Sequence, residues 1–383
     1  MSLLENAVQD CLNNPLSFCK FISSNDAGAT GGHQSGLYIP LHSWNILFDN
    51  PGVKGENKDA NVKIMWQGDF ETDSRFIYYG QKSRNEYRIT RFGRGFSLLK
   101  PENVGDLFVL IKIDTNYYHA YIIQGDDDIE SFFSSVGITA DQTNNLIDLS
   151  NVNLQKPTLE ELFQSYIQSL TVDFPDTYQV SSKAREFFRT SQKKQNADLD
   201  SLILNWLDTE FSLFKALEFN RYQKRMSTPF DTIDELVACA NTLLNRRKSR
   251  AGKSLEHHLT EVFRIANLSV DSQVTTEDKK KPDFIFPGAI QYHDNTFNQD
   301  KLFFLAAKTT CKDRWRQILN EADRIEEKHL FTLQQGISEN QLNEMYKHKV
   351  TLVVPRPYIN SFPSAYRNKI LSLENFVSMV RNK

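Results

Sequence analysis

Asp283, Lys308 and Glu321 are the residues of this 383-residue chain whose types and spacing best suit chemistry. Asp283 follows Pro282. Lys308 closes the apolar run Leu302-Phe303-Phe304-Leu305-Ala306-Ala307, which reads as a buried strand. The next segment, Lys312 to Glu321, predicts an amphipathic helix with Trp315, Ile318, Leu319, Ala322 and Ile325 on one face and Glu321 on its shoulder. A strand-borne acid, a strand-end lysine and a helical acid can converge at one edge of a sheet. Such a set suits metal-assisted phosphodiester hydrolysis, which builds negative charge on the phosphoryl oxygens and on the leaving oxygen. Two carboxylates hold a hard cation such as Mg²⁺, which polarises the phosphoryl group and activates water. A lysine beside it orients that water and offsets the developing charge. The usual spelling of this site is Pro-Asp, a spacer, then Asp/Glu-x-Lys on one strand. Ala306 stands where the second acid is expected, so Glu321 is taken as its substitute.

The elements that must position these residues fall into two regions. The amino-terminal third holds short β-branched and aromatic runs at 36–40, 62–66, 76–79, 106–113 and 117–123. Turn-forming clusters such as Asn50-Pro51-Gly52 and Gly125-Asp126-Asp127-Asp128 separate them. This pattern predicts a β-barrel or sandwich. A soft segment, 149–157, precedes Thr158-Leu159-Glu160-Glu161, which has the spacing of a helix capping box. The domain boundary is placed there, giving domains 1–153 and 159–383 with a hinge at 154–158; the polar run 189–196 is the rival boundary. Helices are predicted at 199–217 and 232–244, ahead of a mixed α/β segment.

Composition bounds the class. The chain is long enough for two cored domains, and 40% hydrophobic with 24% charged residues is ordinary for a soluble protein. No run approaches a membrane span, and the first residues lack the basic start of a signal peptide, so an intracellular, cytoplasmic protein without a membrane partner is expected. Cys11, Cys19, Cys239 and Cys311 show no C-x-x-C spacing, which predicts reduced thiols and no zinc site. The net charge of −3 does not advertise a nucleic-acid binder, but local patches are what bind phosphate. One lies at 82–95, with five cations against one acid, and another at 246–253, with five cations and no acid. Gly252-Lys253-Ser254 mimics the end of a phosphate-binding loop, but Arg247 occupies the place of its first glycine, which excludes nucleotide binding. The second patch is a solvated helical face, a DNA-backbone contact or a pin for the amino-terminal domain.

Three runs carry a resemblance: Asn245 to Glu256, Lys281-Pro282-Asp283-Phe284, and Lys308 to Asp323. They resemble the catalytic domain of the EcoRII restriction endonuclease family, which also takes its second acidic ligand from beyond the lysine. The run Asn25 to Gln34, then Gly36-Leu37-Tyr38-Ile39-Pro40 and the 84–91 segment, are similar to that family's effector domain, itself similar to the B3 DNA-binding pseudobarrel. The resemblance implies an all-β B3-like amino-terminal domain and a carboxy-terminal restriction-endonuclease-like PD-(D/E)xK fold with a central mixed sheet flanked by helices. It implies a homodimeric, Mg²⁺-dependent type II endonuclease cutting double-stranded DNA at a CCWGG-like site. A second copy of the site would bind the effector domain, which otherwise occludes the cleft. It implies Asp283 and Glu321 as metal ligands, Lys308 as the water-activating residue, Tyr292 near the reacting centre and Glu256 orienting a metal-bound water. His33, Tyr38, Lys82, Arg84, Asn85, Glu86 and Arg88 are expected to face DNA, and Lys312 and Arg314 to read base pairs, with the central pair flipped out. Tyr87 replaces a basic residue of the family pattern and is expected to donate to phosphate, with weaker salt dependence. The rival reading is a sequence-specific DNA-binding protein with a dead nuclease domain. An RNA-processing or junction nuclease is a third, sharing the core chemistry without needing the effector-like region.

Overall fold

The computed structural model describes residues 2–28, 36–147, 157–191 and 198–382. The amino-terminal part carries eight strands: β1 (Ser17–Phe21), β2 (Leu37–Ile39), β3 (Lys58–Trp66), β4 (Phe70–Tyr79), β5 (Glu86–Thr90), β6 (Leu107–Asp114), β7 (Tyr117–Ile123) and β8 (Asn145–Leu146). Helix α1 (Leu3–Asn13) precedes them and α2 (Asp126–Val136) lies between β7 and β8, so the region is β-dominated rather than purely β. The strands form one sheet in the order β2-β5-β4-β3-β7-β6-β1-β8, with β3 and β7 parallel. Alternation explains it: Val62, Ile64 and Trp66 of β3 point inward with Phe76, Tyr87 and Tyr118, while Asn61 and Lys63 point out. The five expected strands are present. β1, β5 and β8 were not anticipated.

Four helices follow, α3 (Pro157–Ser169), α4 (Thr177–Ser191), α5 (Leu199–Met226) and α6 (Ile233–Ile265). α3 begins at Pro157, so Thr158 lies within the helix and not at its cap. The two predicted helices at 199–217 and 232–244 are the starts of the longer α5 and α6. Thr232 caps α6, its hydroxyl accepting from the Glu235 amide at 3.2 Å. A buried polar cluster binds α4, α5 and α6 together. Glu210 accepts from Ser181 at 2.6 Å, from Ser254 at 2.8 Å and from Arg250 at 3.1 Å, and lies 2.9 Å from His258 Nε2. That cluster ties α6, which carries Glu256, to α4 and α5.

The second sheet contains β9 (Asp271–Ser272), β10 (Phe284–Phe286), β11 (Phe303–Lys308), β12 (Lys328–Thr332), β13 (Val350–Val354) and β14 (Leu371–Ser372), in the order β14-β13-β12-β11-β10-β9. It is mixed, as expected: β9, β10 and β11 run antiparallel, and β11 through β14 parallel. Helices α7 (Ala289–His293), α8 (Glu339–Lys347) and α9 (Leu373–Arg381) accompany it. One face carries Phe284, Phe286, Phe303 and Leu305 into a core shared with Phe263 of α6, Phe376 of α9, and Val109, Phe132 and Phe133 of the amino-terminal part. The other face carries Ile285, Phe304 and Ala306 against Trp315, Ile318 and Ala322. The two parts thus share one apolar core. The rival boundary at 189–196 and the expected hinge fall largely outside the described residues. Among the described residues, no helix is long and apolar enough to cross a membrane.

Candidate active site

Strand periodicity brings Asp283 and Lys308 to one face of the second sheet. Phe284 pairs with Leu305 and Ile285 with Phe304, so continuing the register sets Asp283 opposite Ala306. Two-residue alternation then aims Asp283 and Lys308 to the side of Ile285, Phe304 and Ala306. The Lys308 ammonium lies 3.5 Å from Asp283 Oδ2. Asp283 is oriented by two donors: the Ala307 amide at 2.9 Å on Oδ2 and Gln273 Nε2 at 3.3 Å on Oδ1. Ala306 is fully buried, and its methyl leaves the ground opposite Asp283 free for an acid arriving from elsewhere.

Glu321 does not stand on an α-helix. The segment Arg314–Asn320 is a 3₁₀ helix, and Glu321 follows it in extended conformation (φ −94°, ψ 142°). The expected helical shoulder is therefore corrected to the first residue past a short helix. The apolar spacing was real, since Trp315, Ile318, Ala322 and Ile325 are all buried, but it serves a turn instead of a continued helix. Burial raises the Glu321 carboxyl above its ordinary range, the Asp283 charge adds to this and Lys308 opposes it. Burial and the Asp283 charge likewise raise Glu256, half-buried on α6, with Lys308 and Lys253 opposing. Glu321 and Glu256 thus each feel the charges of Asp283 and Lys308.

Tyr292 is not part of that group. It is 2% exposed, and its hydroxyl donates to Glu277, whose oxygens lie 2.6 and 2.8 Å away. The Arg324 amide lies 3.4 Å from the same hydroxyl. Glu277 also accepts from the Asp323 amide, so the Tyr292 hydroxyl borders the turn that follows Glu321. Carboxylate oxygens are the donors a hard divalent ion takes, and carboxyls that repel one another beside a single lysine are the electrostatic setting a cation relieves. Among the described residues no three His, Cys, Asp or Glu side chains gather into a full metal cage.

The expected DNA-facing residues divide. Tyr38 of β2 pairs with Arg88 of β5, and Arg88 Nη2 donates to Glu86 Oε2 at 3.2 Å, so Tyr38, Glu86 and Arg88 share one face of that sheet edge, with Arg88 itself buried. Lys82, Arg84 and Asn85 are exposed in the loop just before it, with Arg84 stacked 4.8 Å over the Tyr79 ring. Tyr87 points the other way. It is 2% exposed, its hydroxyl accepts from the Gly52 amide at 2.6 Å, and the expected phosphate contact is corrected to a core role. His33 lies outside the described residues.

Lys312 and Arg314 are engaged by acids of the amino-terminal part. Lys312 Nζ donates to Asp106 and, at 3.1 Å, to the Glu102 carbonyl. Arg314 pairs with Asp127 and Glu130. Asp126 accepts from the amides of Lys312, Asp313 and Arg314 at 3.1, 2.7 and 3.0 Å, and Thr309 donates to Glu130 at 2.9 Å. From the 246–253 patch, Arg247 donates to Glu218 and, at 2.8 Å, to the Ser134 carbonyl at the end of α2. For Arg247 the pinning reading holds. Sequence reasoning missed Asp106, Asp127 and Glu130, and took Asp126-Asp127-Asp128 for a turn. Their signal is an acidic run opening a helix, opposite in sign to the basic segment it meets.

Comparison with known proteins agrees with this division. Residues 12–142 match the family described as restriction endonuclease EcoRII, N-terminal, and residues 214–377 the family described as EcoRII C terminal. The type II restriction enzyme EcoRII of Escherichia coli is 35% identical, across 99% of this chain and 97% of that protein. The type II restriction enzyme SsoII of Shigella sonnei is 31% identical across 37% of this chain and 48% of its own length. Among solved structures, metal-depleted Ecl18kI in complex with uncleaved, modified DNA aligns with a TM-score of 0.44 and 22% identity, over 58% of this chain and 83% of that one. With both halves matched in order and identity sustained from end to end, the chain belongs to the EcoRII-type type II restriction endonucleases, a class of site-specific deoxyribonucleases.

Proposed function

We propose that the protein hydrolyses double-stranded DNA at a short pseudopalindromic, CCWGG-like site with Mg²⁺ held by Asp283 and Glu321. The observation that carries this reading is the Lys308–Asp283 pair, 3.5 Å apart on one sheet face, with Glu321 within the electrostatic reach of both and Ala306 standing where the usual second acid is expected. The chemistry a bound Mg²⁺ supplies there is phosphoryl polarisation and acidification of a water. Lys308 holds the attacking water and neutralises charge on the phosphoryl oxygens. Glu256, within reach of the same field, orients a water on the ion. Lys312 and Arg314 read base pairs once released from their acids, while the central pair leaves the stack.

In this reading residues 1–153 form a B3-like effector domain joined through a hinge at 154–158 to a catalytic domain at 159–383. Tyr38, Lys82, Arg84, Asn85, Glu86 and Arg88, with His33, take a second copy of the site. Arginines suit guanine and Glu86 suits cytosine N4. The acids on Lys312 and Arg314 support an autoinhibitory role, because a base-reading surface paired with carboxylates is not open to DNA. Two copies of the chain, joined through the catalytic domain, cut the two strands. The test is Lys308→Ala against the native chain, with DNA binding and DNA cleavage measured separately. Retained binding with lost cleavage is expected; retained cleavage defeats the role given to Lys308. A native chain that binds the site yet never cuts it with Mg²⁺ would be the DNA-binding protein of the rival reading.

A further inference from the structure

Lys328 opens β12 with only 4% of its surface exposed, in a strand whose five residues are all buried. An ammonium in such a place costs several kcal/mol unless it is fully engaged. Its partners are main-chain carbonyls, those of Glu321 and, at 2.6 Å, Ala322. Ala322 has φ +49°, a left-handed conformation that a non-glycine residue holds only when its surroundings impose it. The chain thus leaves the 3₁₀ helix, extends at Glu321 and reverses at Ala322, with the lysine beneath both carbonyls. Further bonds hold the same turn: Lys280 Nζ to the Asn320 carbonyl at 2.7 Å, the Asp323 amide to Glu277 at 3.2 Å, and Arg324 to the Phe297 carbonyl at 2.8 Å.

We propose that Lys328 is a positioning residue for the displaced acid: by holding the main chain of Glu321 and Ala322 it fixes where the Glu321 carboxylate meets Asp283. An acid at position 306 would be placed by the sheet itself. One carried on a turn has no ladder to hold it, and the carbonyls around it must be tied down by other means. Removing the ammonium leaves the Glu321 carbonyl without a donor and the Ala322 carbonyl with the Ile325 amide alone, which lets the strained turn relax, so the carboxylate shifts relative to Asp283 while the sheet stays intact. This rests on the reading of Glu321 as a metal ligand.

The test uses the full chain and Mn²⁺ as probe, with free Mn²⁺ counted by electron paramagnetic resonance. Amide hydrogen exchange of 320–325 and thermal unfolding are followed in parallel. Lys328→Met is expected to bind Mn²⁺ roughly 10- to 100-fold more weakly, as when outer partners of metal ligands are lost, with faster exchange confined to the turn. Native Mn²⁺ affinity in a folded Lys328→Met overturns the proposal, as does weakened affinity accompanied by faster exchange throughout the chain. If that variant does not fold, Lys328→Gln, too short to reach both carbonyls, replaces it, and native affinity there overturns the proposal equally. Glu321→Gln separates the two claims. Native Mn²⁺ binding in Glu321→Gln defeats the ligand reading, whereas loss there with native binding in the Lys328 variants defeats positioning alone.

Discussion

Lys308 and Asp283 owe their meeting to strand parity, and parity is what a sequence displays most openly. The apolar run 302–307 gives the direction of Lys308, and the antiparallel register brings Asp283 beside it. Ala306 points to a displaced acid, and the helical spacing after Lys308 offers Glu321 as its substitute, a choice the family resemblance supports. Tyr87 and Tyr292 show the limit at this scale: residue type reveals that a hydroxyl is available, not which side of a strand or turn it serves. Both rings are buried, and each hydroxyl is tied to a neighbour: Tyr87 accepts from the Gly52 amide and Tyr292 donates to Glu277. Lys308 carries the clearest residue-scale prediction. Its replacement by alanine is expected to lower the cleavage rate about 100- to 1,000-fold, the scale of losing one preorganised charge-stabilising group. DNA affinity, read by equilibrium binding in Ca²⁺, is expected to stay within about twofold, as when an interaction made mainly in the transition state is removed.

The elements were legible where their period was unbroken. Long helices α5 and α6 and five strands stood out, whereas β5 was hidden because Glu86, Arg88 and Thr90 alternate with its buried Tyr87 and Ile89 in a stretch dominated by charge. The 3₁₀ segment before Glu321 could not be told from an α-helix, since both place Trp315 and Ile318 on one side. The cluster around Glu210 was invisible to periodicity because its members come from three helices. Its Arg185 guanidinium lies 3.1 Å from His258 Nδ1, and a guanidinium only donates, so His258 is neutral with its proton on Nε2. Burial holds the His258 pKa below the ordinary value, although Glu210 pulls it upward. For Glu210 burial works against ionisation, but contact with His258, Arg250 and Ser181 outweighs it and sets the carboxyl at about 2. The signs agree. The neutral histidine contributes stability above its unfolded pKa near 6.5, lost as pH falls below it; the depressed carboxyl contributes above about 4.5, lost as pH falls toward 2. Glu210→Gln is expected to cost about 3–5 kcal/mol at neutral pH, as breaking a buried ion pair does. The gap from the native chain should shrink in denaturant melts as pH falls from 5 toward 3. A gap independent of pH would refute the ionised cluster.

At the scale of the molecule, the two parts share one apolar core and are laced by acids on Lys312 and Arg314, local pairings that composition hid behind a net charge of −3. Because the core is shared, point substitutions test the proposed occlusion more cleanly than deletion of residues 1–153. Asp127→Asn with Glu130→Gln frees Arg314 and should raise cleavage of single-site DNA roughly two- to thirtyfold, for two ion pairs of about 0.2–1 kcal/mol each. An unchanged rate with an unchanged fold would reject occlusion by these acids. The claim on which everything else depends is that Asp283 and Glu321 grip a divalent ion beside Lys308. Its most direct measurement is the fate of two DNAs, one carrying two CCWGG sites and one carrying none, incubated with the full chain with and without Mg²⁺ and compared with Asp283→Asn. The account predicts defined fragments from the two-site DNA alone, only with Mg²⁺ and only with the native chain. Cleavage by Asp283→Asn at the native rate, or cleavage that ignores Mg²⁺, would contradict it.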